Sequence, residues 1–309
     1  MHRARRTPVF NGREFTKMAT RRQHVVPQFY LSGFSREGKA WASRKGERGA
    51  FGRPFTTDIK NLCSIRDYYE VKGTHGQAGS FRRNDIESWL SSLENQLATP
   101  LRNVREARST DSLQITVRNS LYAMKILLAN LIMRNPLVLN PPRQTSEQFS
   151  NALIAEGFIT DEELEELDKL GVTPRDVTEF AILRMELQTK VEGSSMSDIL
   201  SWLDGTGVLV LRARVGSQFV TADVPFAIGW EKAESELPIH IYLPLDWRTA
   251  IVFHKYDQNL ASRYADIPEV DFWNHVLMTR NEPLTTAIAK CEGALRRVTE
   301  RYNTNNRTE

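Results

Sequence analysis

The middle of the chain carries hydrophobic residues at intervals of three and four positions. Between residues 84 and 204 this spacing predicts a succession of helices. Residues 112–134 form the most apolar of them, so we expect this helix at the centre of the core. Pro100 predicts a kink or a break in the first helical stretch. Thr160 with Glu163 is typical of a capping box and predicts the start of a further helix.

The segments on either side of the helical middle have the patterns of strands. From 24 to 82, short mixed stretches are separated by glycine-rich turns. A sheet is predicted over 207–255, where "GVLVLRARV" runs through Gly216-Ser217 into "QFVTAD" as a hairpin. Two helical patterns, 268–281 and 283–303, follow the sheet. The fold class is therefore α+β: a helical middle packed on a mainly antiparallel sheet built from N- and C-terminal strands.

The charges are unevenly distributed along the chain. Residues 1–60 hold 14 Lys and Arg against four acidic residues, whereas the net charge of the whole chain is only +3. A basic N-terminal region attracts phosphates, so nucleic acid is a candidate partner. The same charges also suit a solvated tail. Met18 is an alternative start that would remove part of the excess.

Composition excludes several classes of protein. No apolar run approaches the roughly 18 residues that a membrane helix needs, and the N-terminus has no hydrophobic signal core. Cys63 and Cys291 give neither a metal-binding spacing nor a disulfide framework. No glycine-rich phosphate loop and no Ser/His/Asp arrangement is present. We therefore expect a cytoplasmic protein without membrane contact.

His24 is the first candidate for chemistry. It lies three positions before Pro27, as the opening histidine does in His-Asn-His nucleases, where that histidine is a general base activating water. Asn61 and His75 would then fill the remaining roles, but the sequence around His75 lacks a second metal histidine. The alternative is a structural histidine that is hydrogen-bonded to backbone near Pro27.

Polar residues also lie at the ends of two apolar elements. Thr221 and Asp223 end a strand that Pro225 stops, where an aspartate is either a metal ligand or general base, or a turn cap. Arg134 closes the apolar helix one turn after Asn130. Its guanidinium either complements the helix dipole or reaches a buried carboxylate or phosphate. We expect Asp223 to be the carboxylate that pairs with Arg134.

Glu87 and Glu94 lie on one edge of a predicted helix. Seven positions separate them, so they are about 10 Å apart along the helix axis. This distance is too long for a catalytic pair. Each glutamate is either part of a metal or arginine cluster or a solvated surface residue.

These residues occur in an order that resembles the bacterial domain-of-unknown-function family DUF4238. Its members open with His-x-Val-Pro-x-x-Tyr-Leu-x-x-Phe and carry a Phe-x-Thr-x-Asp-x-Pro strand late in the chain. Between these motifs lie an Asp-aromatic-Tyr step, an Ile-Glu helix and an Arg-x-Pro ending to the long apolar helix. The matching residues are His24, Val26, Pro27, Tyr30, Leu31, Phe34, Asn61, Leu62, Cys63, Asp67, Tyr68, Tyr69, Ile86, Glu87, Glu94, Arg134, Pro136, Phe219, Thr221, Asp223, Pro225, Pro244 and Leu245.

The resemblance covers about residues 24–280 and implies an intracellular protein of bacterial or phage origin. It implies one family domain over 24–303, with a basic leader over 1–23 and a polar tail over 304–309. Many relatives have a doubled histidine where this chain has Gln23-His24, so one potential metal ligand is missing here. The family brings no established activity with it.

Residue chemistry and resemblance agree on one set of polar side chains, which we expect to meet in a single cleft between helices and sheet. A hydrolase acting on nucleic acid or another phosphate-bearing substrate would use His24 as general base or metal ligand. Asp223 and Glu87 would be acidic partners, and Arg134 would stabilise phosphate charge. The residues assigned to binding are Asn61, Tyr69, Thr221 and Asn130.

The alternative function is that of a non-catalytic regulatory or defence protein that binds nucleic acid or protein. In that case the polar cluster is structural. The sequence does not decide whether the protein is an enzyme. It also leaves the cofactor open, with a divalent metal ion as one candidate, and it does not predict the oligomeric state.

Overall fold

The computed structural model describes residues 22–66, 68–69, 85–169, 171–187, 194–230, 238–255, 258–279 and 284–305. His75 and the basic leader up to residue 21 lie outside these ranges, as do residues 67 and 70–82 of the stretch predicted to be strand-rich.

The predicted helical middle is confirmed as a series of helices that follow one another between residues 85 and 204. A short helix, α1, precedes the series. The bounds are α1 Gln28–Leu31, α2 Asp85–Glu106, α3 Thr110–Met133, α4 Pro136–Ala155, α5 Asp161–Lys169, α6 Pro174–Glu186 and α7 Ser195–Asp204. Helix α2 packs against α3, and α4 packs against α6.

Helix α3 is the centre of the core, as its apolar pattern predicts. It begins with a capping box in which the Ser112 backbone N–H donates to Ser109 Oγ (3.1 Å) and the Ser109 N–H donates to Ser112 Oγ (3.0 Å). Its C-terminal half, from Met124 to Met133, is almost wholly buried. Pro100 lies inside α2, which continues past it as one helix.

The predicted cap of α5 is also confirmed. The Thr160 N–H donates to Glu163 Oε2 (2.9 Å), and the Glu163 N–H donates to Thr160 Oγ1 (3.3 Å). Helix α3 ends at Met133, and a new helix, α4, begins at Pro136. A proline at the first helical position costs no backbone hydrogen bond, so it starts a helix as readily as it ends one.

The strands lie before and after the helical middle, together with two further helices. Their bounds are β1 Arg22–His24, β2 Lys39–Arg44, β3 Phe55–Asp58, β4 Ser64–Arg66, β5 Gly207–Ala213, β6 Thr221–Ala222, β7 Ala227–Gly229, β8 His240–Pro244, β9 Thr249–His254, β10 Leu260–Ala265, α8 Ile267–Thr279, β11 Thr286–Ala289 and α9 Glu292–Asn305.

The described strands form three sheets, with orders β1-β4, β10-β5-β9-β8-β7 and β3-β2-β11-β6. All pairings are antiparallel except that of β5 with β10. The third sheet joins two early strands to two late ones through the pairing of β2 with β11. The α+β class with N- and C-terminal strands in one sheet is therefore confirmed.

Two predictions about the later strands are wrong. The hairpin expected after residue 207 does not form, because β5 pairs with β9 and β10 whereas β6 pairs with β11 in another sheet. The helix expected over 283–303 begins only at Glu292, after strand β11. All four residues of β11 are buried, and a short apolar run does not distinguish a buried strand from a helix.

Arg105 on α2 fixes the position of the first segment after β1. Its guanidinium donates to the carbonyls of Phe29 (2.9 Å), Tyr30 (2.7 Å) and Leu245 (2.9 and 2.7 Å). The backbone of Gly33 passes so close that a Cβ at this position would lie 2.6 Å from Arg105 Nη2. Only glycine therefore fits without moving the arginine.

A second contact ties α9 to the early strands. The Asn303 side chain accepts from the Phe51 backbone N–H (2.8 Å) and donates to the Phe51 carbonyl (2.9 Å), across 252 residues of chain. Phe51 also packs edge-on against Tyr302, with ring centroids 5.2 Å apart. The last helix thus covers the sheet that contains β2.

Candidate functional site

The predicted site residues fall into two sets according to their contacts. His24, Asn61, Tyr69, Glu87, Asn130 and Arg134 surround β1 and the C-terminal end of α3. Thr221 contacts Tyr30, and Asp223 contacts Thr285 and Thr286 at the start of β11. Within the part of the chain that the structure describes, no hydrogen bond or ion pair joins His24 to Asp223.

His24 ends β1 and is half-buried. Its ring Nε2 lies 3.2 Å from the carbonyl oxygen of Lys60, and since a carbonyl only accepts, Nε2 carries the proton. Burial lowers the pKa of His24, against the opposing effects of the Lys60 carbonyl and the Glu94 charge. The ring is therefore neutral near pH 7, and Nδ1 is an acceptor with no hydrogen bond to it from the described residues.

The backbone of His24 is held from two sides. Arg134 Nη1 donates to the His24 carbonyl oxygen (3.1 Å), and the Tyr69 hydroxyl donates to the same oxygen (3.4 Å). The Tyr69 backbone N–H donates to the side chain of Gln23, the neighbour of His24 (2.5 Å). The imidazole is thus presented on a strand end that has little freedom to move.

The carboxylate that neutralises Arg134 is Glu94, and the expected pairing of Arg134 with Asp223 is wrong. Arg134 Nη2 lies 2.6 Å from Glu94 Oε1, and the Arg134 side chain is 1% exposed against 24% for Glu94. Helix α2 packs alongside α3 and so brings a glutamate to the end of α3. Asp223 instead accepts hydrogen bonds from backbone N–H groups at the start of β11.

Buried polar atoms without hydrogen-bond partners lie beside this ion pair. Asn130, one turn before Arg134, is 1% exposed, and neither its amide nitrogen nor its oxygen has a partner among the described residues. Arg134 Nε also lacks one. Unsatisfied buried polar groups are rare and often mark a site for a water molecule or a ligand.

Glu87 and Tyr69 belong to the same neighbourhood. Burial raises the pKa of Tyr69, the Arg134 charge opposes the rise, and the charges of Glu87 and Glu94 add to it. Asn61 lies at the exposed rim, where its Oδ1 accepts from Arg22 Nη1 (3.3 Å). Six of the eight predicted residues are therefore grouped around His24.

The second set is built around Asp223. Its carboxylate accepts from the backbone N–H groups of Thr285 and Thr286 (3.1 Å each) and from the Thr285 hydroxyl. Burial raises the pKa of Asp223, and these hydrogen bonds oppose the rise. Thr221 Oγ1 lies 3.1 Å from the Tyr30 hydroxyl.

Cys63 is hydrogen-bonded to the first set, and its thiol lies within electrostatic reach of Asp223. Its carbonyl oxygen accepts from the N–H of Val25, the residue after His24 (2.9 Å). Burial raises the pKa of the Cys63 thiol, and the Asp223 charge raises it further. The thiol is therefore protonated at neutral pH and is no nucleophile there.

Sequence reasoning missed three residues on the same ribbon as His24. In the β1–β4 pairing, Arg22 lies opposite Arg66 and His24 lies opposite Ser64. Alternate residues of a strand and directly opposite residues share one face, so these four side chains lie on one side of the ribbon. They were missed because residues 64–66 were not recognised in the sequence as a strand that pairs with β1.

Among the described residues, no three His, Cys, Asp or Glu side chains are close enough to hold a metal ion. No helix in the described ranges is long and apolar enough to cross a membrane. The polar face of β1–β4 carries the imidazole of His24 and the guanidinium groups of Arg22 and Arg66.

The chain belongs to a family described as a protein of unknown function, DUF4238, whose sequence model matches residues 22–271. This confirms the family that the resemblance indicated. No curated protein matches the chain, and no solved structure matches it.

Proposed function

We propose that the protein is a hydrolase acting on nucleic acid or another phosphate-bearing substrate, with His24 as its general base. The observation that carries the proposal is the bond from His24 Nε2 to the Lys60 carbonyl. It leaves Nδ1 of a neutral imidazole as a proton acceptor at the end of a strand whose backbone is fixed.

The cations of the β1–β4 face supply attraction for the substrate. Arg22 and Arg66 are both exposed and lie opposite one another, and Lys60 and Asn61 are adjacent at the rim. A phosphate lying over two arginines reduces the repulsion between them and accepts hydrogen bonds from both. Arg22 and Arg66 therefore take the role that the sequence prediction gave to Arg134.

Arg134 acts as a positioning residue in this proposal. Its side chain is 1% exposed, and its two outer nitrogens already donate to Glu94 and to the His24 carbonyl. It therefore fixes the strand that presents the imidazole. Among the described residues, no hydrogen bond or ion pair joins Asp223 to His24 or Arg134, so the proposed reaction gives it no step.

In the proposed step, His24 Nδ1 takes a proton from water while the water oxygen forms a bond to phosphorus. The bond from phosphorus to the leaving oxygen breaks, and the imidazolium or solvent returns a proton to that oxygen. Removing such a base lowers a rate by about 10²- to 10⁴-fold.

The test is a comparison of the wild-type chain with His24→Gln on labelled single-stranded DNA, RNA, duplex DNA and a chromogenic phosphodiester, with and without Mg²⁺ or Mn²⁺. We expect cleavage of at least one substrate and a loss of about 100-fold or more in kcat in the variant. The melting temperature should change little, because the glutamine amide can still donate to the Lys60 carbonyl.

His275→Gln is the matched control, because burial also lowers the pKa of His275 on α8. This control should keep wild-type activity. Cleavage that is equal in His24→Gln and the wild type, or a loss of activity that follows a loss of stability, would contradict the proposal.

One observation favours the non-catalytic alternative. The contacts that hold the His24 set together reach backbone atoms: the carbonyls of Lys60 and His24 and the N–H of Tyr69. In the non-catalytic alternative, the cluster joins β1 to the helices and has no other role. Salt-dependent binding of nucleic acid without cleavage in every metal condition would support this alternative.

A further inference from the structure

A second group of cations lies around Trp247, in the turn between β8 and β9. Lys290 Nζ is 4.1 Å from the centroid of the Trp247 ring, and the Arg248 guanidinium carbon is 4.8 Å from the same centroid. Lys290 follows β11 directly and is half-buried, as is Arg248. One aromatic ring is therefore in contact with two cations from different parts of the sheet arrangement.

Further positive charge acts on the same place. Burial lowers the pKa of Lys290, and the like charges of Arg248 and Arg36 lower it further. Burial also lowers the pKa of Arg212, and Arg248 again adds to the effect. Four cations from four separate chain segments are thus coupled through their charges: Lys290, Arg248, Arg36 and Arg212. Arg248 acts on both Lys290 and Arg212, and Arg36 acts on Lys290.

The opposing negative charge is small. Asp246 is the carboxylate that acts on Lys290 and Arg212, and it is 3% exposed. Its Oδ1 already accepts from the backbone N–H groups of Arg248 (2.7 Å) and Thr249 (2.6 Å). Across the described ranges, none of the four cations forms an ion pair with a carboxylate.

The donors of Lys290 and Arg248 are largely unused. Lys290 Nζ has no hydrogen-bond acceptor among the described residues, and the buried Arg248 Nε has none either. Arg248 Nη2 makes only a long bond to the Arg105 carbonyl (3.4 Å). Arg212 differs, because it donates to Thr249 Oγ1 (2.8 Å) and the Ala107 carbonyl (2.9 Å) and is held as part of the structure.

We propose that Lys290, Arg248 and Arg36 form a binding site for a phosphate group. A phosphate supplies the missing negative charge and has enough oxygens to accept from Lys290 Nζ and from the Arg248 guanidinium. The half-buried setting strengthens each charged contact relative to one in water. This site is separate from the His24 face and does not depend on the proposed hydrolysis.

The phosphate has two sources to distinguish: a free phosphate ion and the backbone of a nucleic acid. Binding is measured by calorimetry with inorganic phosphate and by fluorescence anisotropy with a labelled single-stranded oligonucleotide, each at two salt concentrations. The variant is Lys290→Gln with Arg248→Gln. The control is Lys169→Gln with Arg184→Gln, which removes the same charge from exposed positions on α5 and α6.

We expect the Lys290/Arg248 variant to bind at least 10-fold more weakly than the control, with both folded by thermal melting. Weakening seen with both probes assigns the site to phosphate in general. Weakening seen with the oligonucleotide alone assigns it to a nucleic-acid backbone.

Equal weakening in the two variants, or binding of neither probe to the wild type, would overturn the proposal. Neither binding measurement depends on cleavage by His24. Loss of the proposed hydrolysis therefore leaves this result unaffected, and the two proposals fail separately. A single Lys290→Gln variant covers the case in which the double variant does not fold.

Discussion

Two arginines, the buried Arg134 and the half-buried Arg105, hold the same short segment of chain, residues 24–32, and their donors are satisfied in different ways. Arg134, at the end of α3, donates to the carbonyl at the start of the segment and pairs with Glu94. Arg105, on α2, donates to the Phe29 and Tyr30 carbonyls, to Ser32 Oγ and to Leu245, and no described carboxylate forms an ion pair with it.

The difference shows in how each arginine depends on its surroundings. Burial lowers the pKa of Arg105 to about 10, because neutral carbonyls satisfy its donors without supplying a full negative charge. Arg134 has a carboxylate that is still 24% exposed to solvent. At the Arg105 side of the segment, the hydrogen-bond acceptors are therefore neutral. At the Arg134 side, an ionisable carboxylate lies next to the imidazole.

The largest effect is expected from Arg105→Ala, which removes a donor from the carbonyls of Phe29 and Tyr30 and leaves the buried Leu245 carbonyl with no donor among the described residues. We expect a loss of about 3–5 kcal/mol in the free energy of unfolding, measured by urea denaturation. Arg134→Ala should cost less, about 2–3 kcal/mol, because the Glu94 carboxylate that remains can be hydrated.

The control is the exposed Arg102, which lies on α2 as Arg105 does. Arg102→Ala should change the free energy of unfolding by no more than about 0.5 kcal/mol. A larger loss in Arg134→Ala than in Arg105→Ala would reverse the comparison. It would show that the ion pair carries more of the stability than the carbonyl contacts.

A smaller effect is expected from Gly33→Ala, since the new Cβ would lie 2.6 Å from Arg105 Nη2. Overpacking of this kind costs about 1–3 kcal/mol. In the Arg105→Ala background the space is free, so the same substitution should cost almost nothing. A double-mutant cycle measures this difference, and additive costs would mean that Gly33 is needed for its backbone and not for Arg105.

The smallest effect is the dependence of stability on pH, and of the two sides of the segment only the Arg134 side, which contains His24, should show it. The pKa of His24 is lowered in the folded protein, so the unfolded chain binds more protons as pH falls below about 6.5. The free energy of unfolding should therefore decrease as pH falls through this window. It stops decreasing once the imidazole is protonated in both states.

Chemical denaturation of His24→Gln at several pH values measures this contribution. The slope should be shallower than in the wild type, and the remaining slope should decrease again in the double variant with His275→Gln, since burial also lowers the pKa of His275. An unchanged slope in His24→Gln would mean that His24 is equally easy to protonate in both states.

The fold class could be predicted because its signals are local. The capping pair Thr160 and Glu163 and the apolar spacing of α3 depend on neighbours within one or two turns of helix. The pairing of strands depends on residues far away, so "GVLVLRARV" was assigned to the wrong partner. Strand β11 was missed for the same reason, since four buried residues between β2 and β6 carry no period of their own.

The candidate site was predictable as a list of residues but not as a geometry. Residue type and position at element ends indicated His24, Arg134 and Asp223. The spacing of Glu87 and Glu94 placed both on one helix edge but could not show that Glu94 meets Arg134. That contact depends on how α2 lies against α3, which is a property of packing across the core.

The pairing of β2 with β11 has a consequence for how the protein is made. On the ribosome, β2 and β3 emerge early, but the strand that covers the open edge of β2 is synthesised more than two hundred residues later. During that interval the edge presents unsatisfied N–H and C=O groups to other growing chains. Newborn copies should therefore depend on chaperones until translation has passed Ala289.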